Sequence, residues 1–314
     1  MASIMYSVVI PVYNSGGIVG ETIDRTVAFF KGHGWNFELI LVNDGSKDNS
    51  WDVIADKAHN NANIIAVDLS RNYGQHTAIF CGIQLASGDY IINMDDDMQN
   101  PPEELGSLIT KAKGGHDVVF AKFIVKKHGF IRRVGSHGIA VIDRVLFKKP
   151  RDITVTNFRI FRRDVADKIR AYKAPYPYLR GLLLMHATNP ANVSVQHLDR
   201  ALGKSNYTPG KIVATLLRIF FNYGVAAPLR VVVWGAILAC LGVVLLAIPL
   251  GPGCLDTLVY MLTWLILGAG IGILYLGIRG WIIHRFNNQE TGYVGFSIRE
   301  TIVEKISSRQ NLLD

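Results

Sequence analysis

Charge is scarce in this chain: of 314 residues, 18% are charged and 49% hydrophobic. With a positive mean hydropathy of +0.23, that excludes a disordered or collagen-like chain and speaks against a wholly soluble protein. Cysteine is nearly missing. Cys81, Cys240 and Cys254 are scattered and lack metal-ligand spacing, which argues against a disulfide framework or a zinc site. Phosphate-cradling glycine loops are also lacking, because Gly16, Gly17 and Gly20 have neither the P-loop nor the dinucleotide-fingerprint spacing. No signal peptide is read before the first strand-like run, since polar and turn residues follow it by Asn14. The N-terminal domain is therefore expected to stay on the side where it is made.

Long uncharged runs are what the chain does have. Val231 to Leu250 is twenty residues without a charge, and Leu258 to Ile278 is twenty-one more. Each matches the roughly 20 residues that cross a bilayer core as a helix. Lys211, Arg218 and Arg230 stand before the pair, Arg279, Arg285 and Arg299 after it, and no Lys or Arg lies between. The positive-inside rule then puts both flanks in the cytoplasm. Lys211, Thr215, Arg218 and Asn222 recur at helical spacing among apolar neighbours. That stripe suits an interfacial amphipathic helix, a core helix being the alternative.

Residues 1–125 alternate strand and helix signals. Strand-like runs fall at Ser7–Ile10, Phe37–Val42, Ile64–Leu69, Tyr90–Met94 and Val118–Phe123, with helical stretches at Gly20–Phe30, Trp51–His59 and Gln75–Ala86. The alternation predicts an α/β domain with a mostly parallel sheet. Ligands of such sheets bind beyond the carboxyl ends of the strands. There the chain places Asp95-Asp96-Asp97. Three adjacent carboxylates repel one another and call for a cation. Asp95 and Asp97, being alternate, can converge on a hard divalent ion, Mg²⁺ or Mn²⁺, together with substrate phosphates. A solvated acidic turn ahead of Pro101-Pro102-Glu103-Glu104 is the other reading of the triplet.

The surrounding residues carry a resemblance. Val9-Ile10-Pro11-Val12-Tyr13-Asn14, Val42-Asn43-Asp44-Gly45-Ser46, Ser70-Arg71-Asn72-Tyr73-Gly74-Gln75-His76 and Asp95-Asp96-Asp97-Met98-Gln99-Asn100-Pro101-Pro102-Glu103 follow in that order. Together they resemble the family 2 glycosyltransferases of GT-A fold that load sugars onto polyprenyl phosphates. The likeness is dense over residues 7–125, weaker through 125–215, and returns in the two C-terminal runs.

The resemblance implies a nucleotide-sugar site framed by Pro11, Tyr13, Asp44, Arg71, Asn72, Gln75 and Asp96, with Lys204 and Ser205 on a later loop that closes over the donor diphosphate. It implies metal ligation by Asp95, Asp97 and Gln99, and places Arg159 beside the donor sugar, so that Asp95, Asp97 and Arg159 are the catalytic candidates. Arg132, Arg133 and Ser136 are the candidates for the acceptor phosphate. Three positions depart from the family pattern: Ser15 where Glu is common, Asn157 where some members carry an acid, and Asn206 with Lys204 displaced in the later loop.

Domain boundaries expected on this basis are 1–125 for the nucleotide-sugar-binding core, 126–230 for an acceptor-side interfacial region, 231–278 for a two-span hairpin and 279–314 for a cytoplasmic tail. The expected activity is inverting, metal-dependent transfer from a nucleotide-sugar, UDP-linked, to undecaprenyl or another polyprenyl phosphate at the cytoplasmic face of the inner (plasma) membrane. A processive polysaccharide synthase and a catalytically silent nucleotide-sugar-binding subunit are the alternatives. Between Lys122 and Arg151 stand nine basic residues against Asp143 alone, a segment that by itself matches the net charge of +8. Interleaved with apolar residues, it suits an anionic bilayer and a phosphorylated lipid rather than nucleic acid. Gly268, Gly270 and Gly272 leave homo-oligomeric packing of the hairpins open.

Overall fold

The computed structural model describes residues 4–123, 143–144, 146–172, 177–196, 219, 223, 227–246, 254–289 and 296–303. Two compact units divide the chain, Met1–Asn206 with Tyr293–Asp314 as the first and Tyr207–Gly292 as the second.

The first unit is an eight-stranded mixed sheet flanked by helices. In chain order it contains β1 (Met5–Val12), α1 (Val19–Gly32), β2 (Asn36–Asn43), α2 (Ser50–His59), β3 (Ile64–Leu69), α3 (Gln75–Leu85), β4 (Tyr90–Asn93), α4 (Leu105–Lys113), β5 (Val118–Phe123), β6 (Arg159–Arg162), α5 (Arg163–Arg170), α6 (Leu179–His186) and β7 (Pro190–Val195). A last strand, β8 (Ile298–Val303), enters from the far end of the chain. The order across the sheet is β7-β5-β6-β4-β1-β2-β3-β8. Strands β4, β1, β2 and β3 run parallel, while β6 and β8 are antiparallel to their neighbours.

The central strands are near-continuous apolar runs because helices cover both their faces. Every residue of β1 after Met5 is buried, and α3 lies so close that a side chain at Gly82 would meet Val9 Cγ1 at 2.4 Å. All five expected strands and all three expected helices are present, their ends shifted by up to two residues. The sheet does not stop at residue 125, however. Strand β6 is only four residues long, β7 begins on a proline, and β8 carries Arg299 and Glu300. Short strands and charged or proline-bearing edge strands give no clean alternation. Residues 298–303 pair with β3, so this stretch of the expected tail is part of the sheet.

The second unit holds α7 (Ala227–Leu246) and α8 (Cys254–Gln289). They pack antiparallel on glycine notches: a Cβ at Gly235 or Gly242 would strike the backbone of Leu274 or Leu267, and one at Gly270 or Gly277 that of Ala239 or Val232. Backbones approach closely where side chains are absent. Gly268 and Gly272 have open space instead. Within α8, Val259–Gly280 is long and apolar enough to cross a membrane, whereas the apolar part of α7, Val231–Leu246, is shorter than that. Among the described residues, one helix of spanning length therefore stands where two were expected.

Candidate active site

The carboxyl ends of β1, β2, β3 and β4 form one edge of the parallel core. Asp44 follows β2, and its two carboxylate oxygens accept the backbone N–H groups of Tyr73 at 2.7 Å and Gly74 at 2.9 Å. Burial nevertheless pushes its pKa up to about 6, those two bonds only partly opposing the shift. Gly45 turns the chain at φ +63°, with no room for a Cβ, which would sit 2.5 Å from the Arg71 carbonyl carbon. The glycine here serves both backbone conformation and close approach. Asn43 donates to Asp68 at 2.7 Å, and Asn14, at φ +52°, accepts from Lys47 N–H at 2.8 Å. The loops after β1, β2 and β3 are thus tied into one rim.

The acidic triplet divides its labour. Asp96 turns toward the first strand's loop, accepting Tyr13 N–H at 3.2 Å and the Ser15 hydroxyl, while Thr22 of α1 donates to its carbonyl at 3.0 Å. Asp95 accepts Gln75 Nε2 at 2.7 Å and Asn100 Nδ2 at 3.3 Å. Gln99 N–H donates to Asp97 at 3.2 Å. Burial, then repulsion from Asp97 and Asp96, pushes the Asp95 pKa up to about 7, and burial pushes Asp96 up to about 6. Between Asp97 and Gln99, Met98 is buried with φ +60°, a conformation that a bulky residue adopts only under constraint.

Arg159 lies opposite Asn93 in the β4–β6 register. It is fully buried, with Nε donating to Asn93 Oδ1 at 3.1 Å and Nη1 to the Thr156 carbonyl at 3.4 Å. Burial, then the Arg180 charge, lowers its pKa to about 9, against the attraction of Asp95. Pro11 is buried in β1 opposite Val42, Tyr13 is 40% exposed, and Arg71 lies 4.9 Å over the Tyr73 ring. Asn72 and Gln75 are exposed on the same rim. Arg132, Arg133, Ser136, Lys204 and Ser205 lie outside the described residues, as does the stripe of Lys211, Thr215, Arg218 and Asn222. Among the described residues, no three His, Cys, Asp or Glu side chains gather as a ready-made metal cage.

Two sets of long-range partners were not visible in the sequence. Tyr73 hydrogen-bonds Ser297 (3.0 Å) and Ser70 (2.9 Å), and these bonds lower its pKa to about 8. Asp143 is fully buried between Tyr178 and Arg180. An acid within a basic run reads as surface until its partners, 35 and 37 residues away, are seen.

A family model described as "Glycosyl transferase family 2" matches residues 7–170. The undecaprenyl-phosphate 4-deoxy-4-formamido-L-arabinose transferase of Proteus mirabilis is 31% identical, over 97% of this chain and 96% of its own. Its counterpart in an Enterobacter species is 33% identical over 89% and 88%. Among solved structures, glucosyl-3-phosphoglycerate synthase of Mycobacterium tuberculosis, complexed with Mn²⁺, uridine diphosphate and phosphoglyceric acid, has the same fold. It superposes with a TM-score of 0.54 over 70% of this chain and 77% of that one, at 17% identity. That fold is the GT-A fold, here with a mixed sheet built on a parallel core. Covering more than half the chain, the family match includes β1 to β6 and every described side chain of the acidic edge, and the chain belongs to glycosyl transferase family 2.

Proposed function

We propose that this enzyme transfers a sugar from a nucleotide-sugar, UDP-linked, to undecaprenyl phosphate, with inversion at the anomeric carbon and with a divalent metal. The observation that carries the reading is the acidic triplet at the carboxyl edge of the parallel core, its Asp95 pushed up to about 7 by burial and by its neighbours. Carboxylates crowded this way are relieved by a cation. Asp95 and Asp97, with Gln99, would hold Mg²⁺ or Mn²⁺, the remaining ligands being water and donor phosphate oxygens, as suits a hard ion with few protein ligands. When bound, such an ion supplies Lewis-acid stabilisation to the departing nucleoside diphosphate.

The chain's own residues do the rest. Pro11, Tyr13, Asp44, Arg71 and Asn72 would frame the base and ribose, Asp96 bracing the Tyr13 loop from behind. Lys204 and Ser205 would close over the diphosphate. Arg132, Arg133 and Ser136 would receive the acceptor phosphate, whose second pKa of about 6 leaves its oxygen ionised at neutral pH. A general base, worth about 10²–10⁴-fold where one is needed, is then dispensable. Asn157 in place of an acid is consistent with that. What the reaction requires instead is fixed positive charge where two anions meet.

The outward faces of the second unit support a bilayer setting: Trp234, Met261, Trp264 and Leu265 are each more than 60% exposed. In this reading both α7 and α8 cross the inner membrane, with the first unit cytoplasmic, residues 126–230 on the lipid surface, and self-association through the hairpin open. The relatives' names, which specify transfer of a formamido-arabinose to undecaprenyl phosphate, support the acceptor. The experiment is direct. Purified full-length enzyme is incubated with undecaprenyl phosphate and a panel of nucleotide-sugars, with Mg²⁺, Mn²⁺ or a chelator. Metal-dependent lipid-linked product with inverted configuration is expected; no product from any donor sinks the reading.

A further inference from the structure

Behind the acidic triplet, the fold brings two arginines within electrostatic range of each other. Arg159, fully buried, is held through Nε and Nη1, but its Nη2 is buried with no partner among the described residues. Arg180, near the start of α6, donates from Nη2 to Asp143 at 3.1 Å, and its Nε is likewise buried without a partner. Asp143 takes its second bond from the Tyr178 hydroxyl at 2.8 Å. The Tyr178 ring in turn meets His76, at the head of α3, edge-on at 5.3 Å between centroids.

The charges in this cluster do not balance. Asp143 offsets Arg180. Arg159 has Asp95 as its acidic neighbour, and that carboxylate is already engaged by Gln75 and Asn100. Burial, and then the charges of Arg159 and Arg180, hold the His76 pKa down to about 3, so the imidazole is neutral. A purely bracing role accounts for Arg159 Nε and for Arg180 Nη2. It does not account for two buried guanidinium N–H groups without acceptors among the described residues, an arrangement that costs free energy until an acceptor completes it. Guanidinium forks match carboxylate and phosphate oxygens alike, and of these the reactants proposed above bring phosphate.

We propose that Arg159 and Arg180 form an anion pocket behind the acidic triplet that binds a phosphate oxygen of a reactant, either the terminal monoester of the lipid acceptor or the diphosphate of the donor. Naming the anion as a reactant's phosphate rests on the transfer reaction proposed above; the pocket itself rests on the geometry. Its effect would be to offset the repulsion between the two anionic reactants with fixed cations that need no rearrangement. Arg180 has no counterpart among the motif residues, and nothing in the Leu179-Arg180-Gly181-Leu182 stretch singles it out.

The test uses the full chain in detergent, as wild type, R180K and the double variant R180Q/D143N. R180K keeps a cation beside Asp143 but loses the Nε–H. The double variant removes both charges, so that no buried ion is left alone. Inorganic phosphate should raise the melting temperature of the wild type, with an apparent affinity at least fivefold weaker in both variants. UDP binding with Mn²⁺ by calorimetry and the KM for a short-chain polyprenyl phosphate then separate the two sources. A tenfold rise in acceptor KM, with UDP affinity within twofold, assigns the pocket to the acceptor monoester; the converse assigns it to the donor. Variants that fold like the wild type and leave all three constants within twofold overturn the proposal. A wild type that makes no lipid-linked sugar, yet is stabilised by phosphate in an Arg180-dependent way, removes the transfer reading and leaves the pocket standing.

Discussion

Arg299, from the strand that enters the sheet after the apolar helices, donates to the buried carboxylate of Asp68 at 3.1 Å, 231 positions away in the chain. Its other Nη reaches the Ser70 carbonyl at 2.8 Å. Two residues earlier, Ser297 bonds Tyr73 and Ser70 through its hydroxyl. Because Tyr73 N–H also holds Asp44, the far end of the chain is joined by hydrogen bonds to the rim that the first three strands build.

Loosening that join should show first in donor binding. Ser297→Ala is expected to raise the nucleotide-sugar KM several-fold with kcat within twofold, and Ser297→Thr to restore it. Arg299→Ala should in addition lower stability by about 1 kcal/mol, the upper range for an ion pair with an exposed partner. Steady-state kinetics and thermal unfolding of the full chain read both effects. An unchanged KM in both variants would mean that the strand is scaffold alone.

Asp44 sets an acid limit on donor binding. Its folded pKa is raised to about 6 from 3.8, so the carboxylate that accepts Tyr73 and Gly74 N–H is lost as pH falls through about 6. Because the folded-state pKa is raised, the buried charge disfavours folding above about 6, and that penalty is relieved at lower pH. Binding runs the other way. Donor affinity should decline below pH 6 in the wild type. Asp44→Asn, which turns an amide toward one of those N–H groups, should be at least tenfold weaker at pH 7.5 and should lack the Asp44-dependent part of the decline. Calorimetric titration with UDP across pH 5–8 decides it.

Asp97→Ala should abolish metal-dependent transfer, by 10² or more in kcat/KM, with little change in melting temperature, since Asp97 lies partly exposed in the triplet. Asp96→Ala should instead lower the melting temperature, because Tyr13 N–H, the Ser15 hydroxyl and the loop they hold lose their acceptor. Activity and thermal unfolding measured on the same preparations separate the two residues. Equal behaviour of both variants contradicts the division of roles.

The glycine notches between α7 and α8 give a fourth test. Gly235→Leu or Gly270→Leu places a side chain where a Cβ alone already comes within 2.4 Å of backbone nitrogen. Either should cost several kcal/mol by overpacking or by splaying the pair. Gly268→Ala and Gly272→Ala, which meet open space, should be neutral within the hairpin. A shift in oligomeric state confined to these two variants would instead mark an interface between copies. Melting temperature and size-exclusion behaviour in detergent give the comparison.

Much of the donor edge was legible because its signals are local. A strand buried on both faces must be an apolar run, the residue after its carboxyl end must turn, and crowded carboxylates need a reason to be there; Asp44 and Asp95-Asp96-Asp97 satisfy all three conditions within a few residues of chain. The four-residue β6 gave no period to read. β8, at the sheet edge, sets Arg299 and Glu300 side by side with no alternation and looks like a tail. Asp96 could be placed on the opposite side from Asp95 by alternation, but its partners, Tyr13 and Ser15, lie more than 80 positions earlier.

By itself, then, the sequence determined the α/β class, the order of the central elements, the acidic edge and the apolar pair that follows, since each depends on periodicity or composition within one segment. Only the tertiary structure decided which carboxylate braces a loop, that Asp143 is a buried counter-ion rather than a surface acid, and that Arg180 comes within electrostatic range of the buried Arg159. It also brought Arg299 back to Asp68. Those are long-range relationships, set by which strands pair and which helices cover them, and in a low-dielectric interior the distance between two charges, rather than their presence, decides what they do.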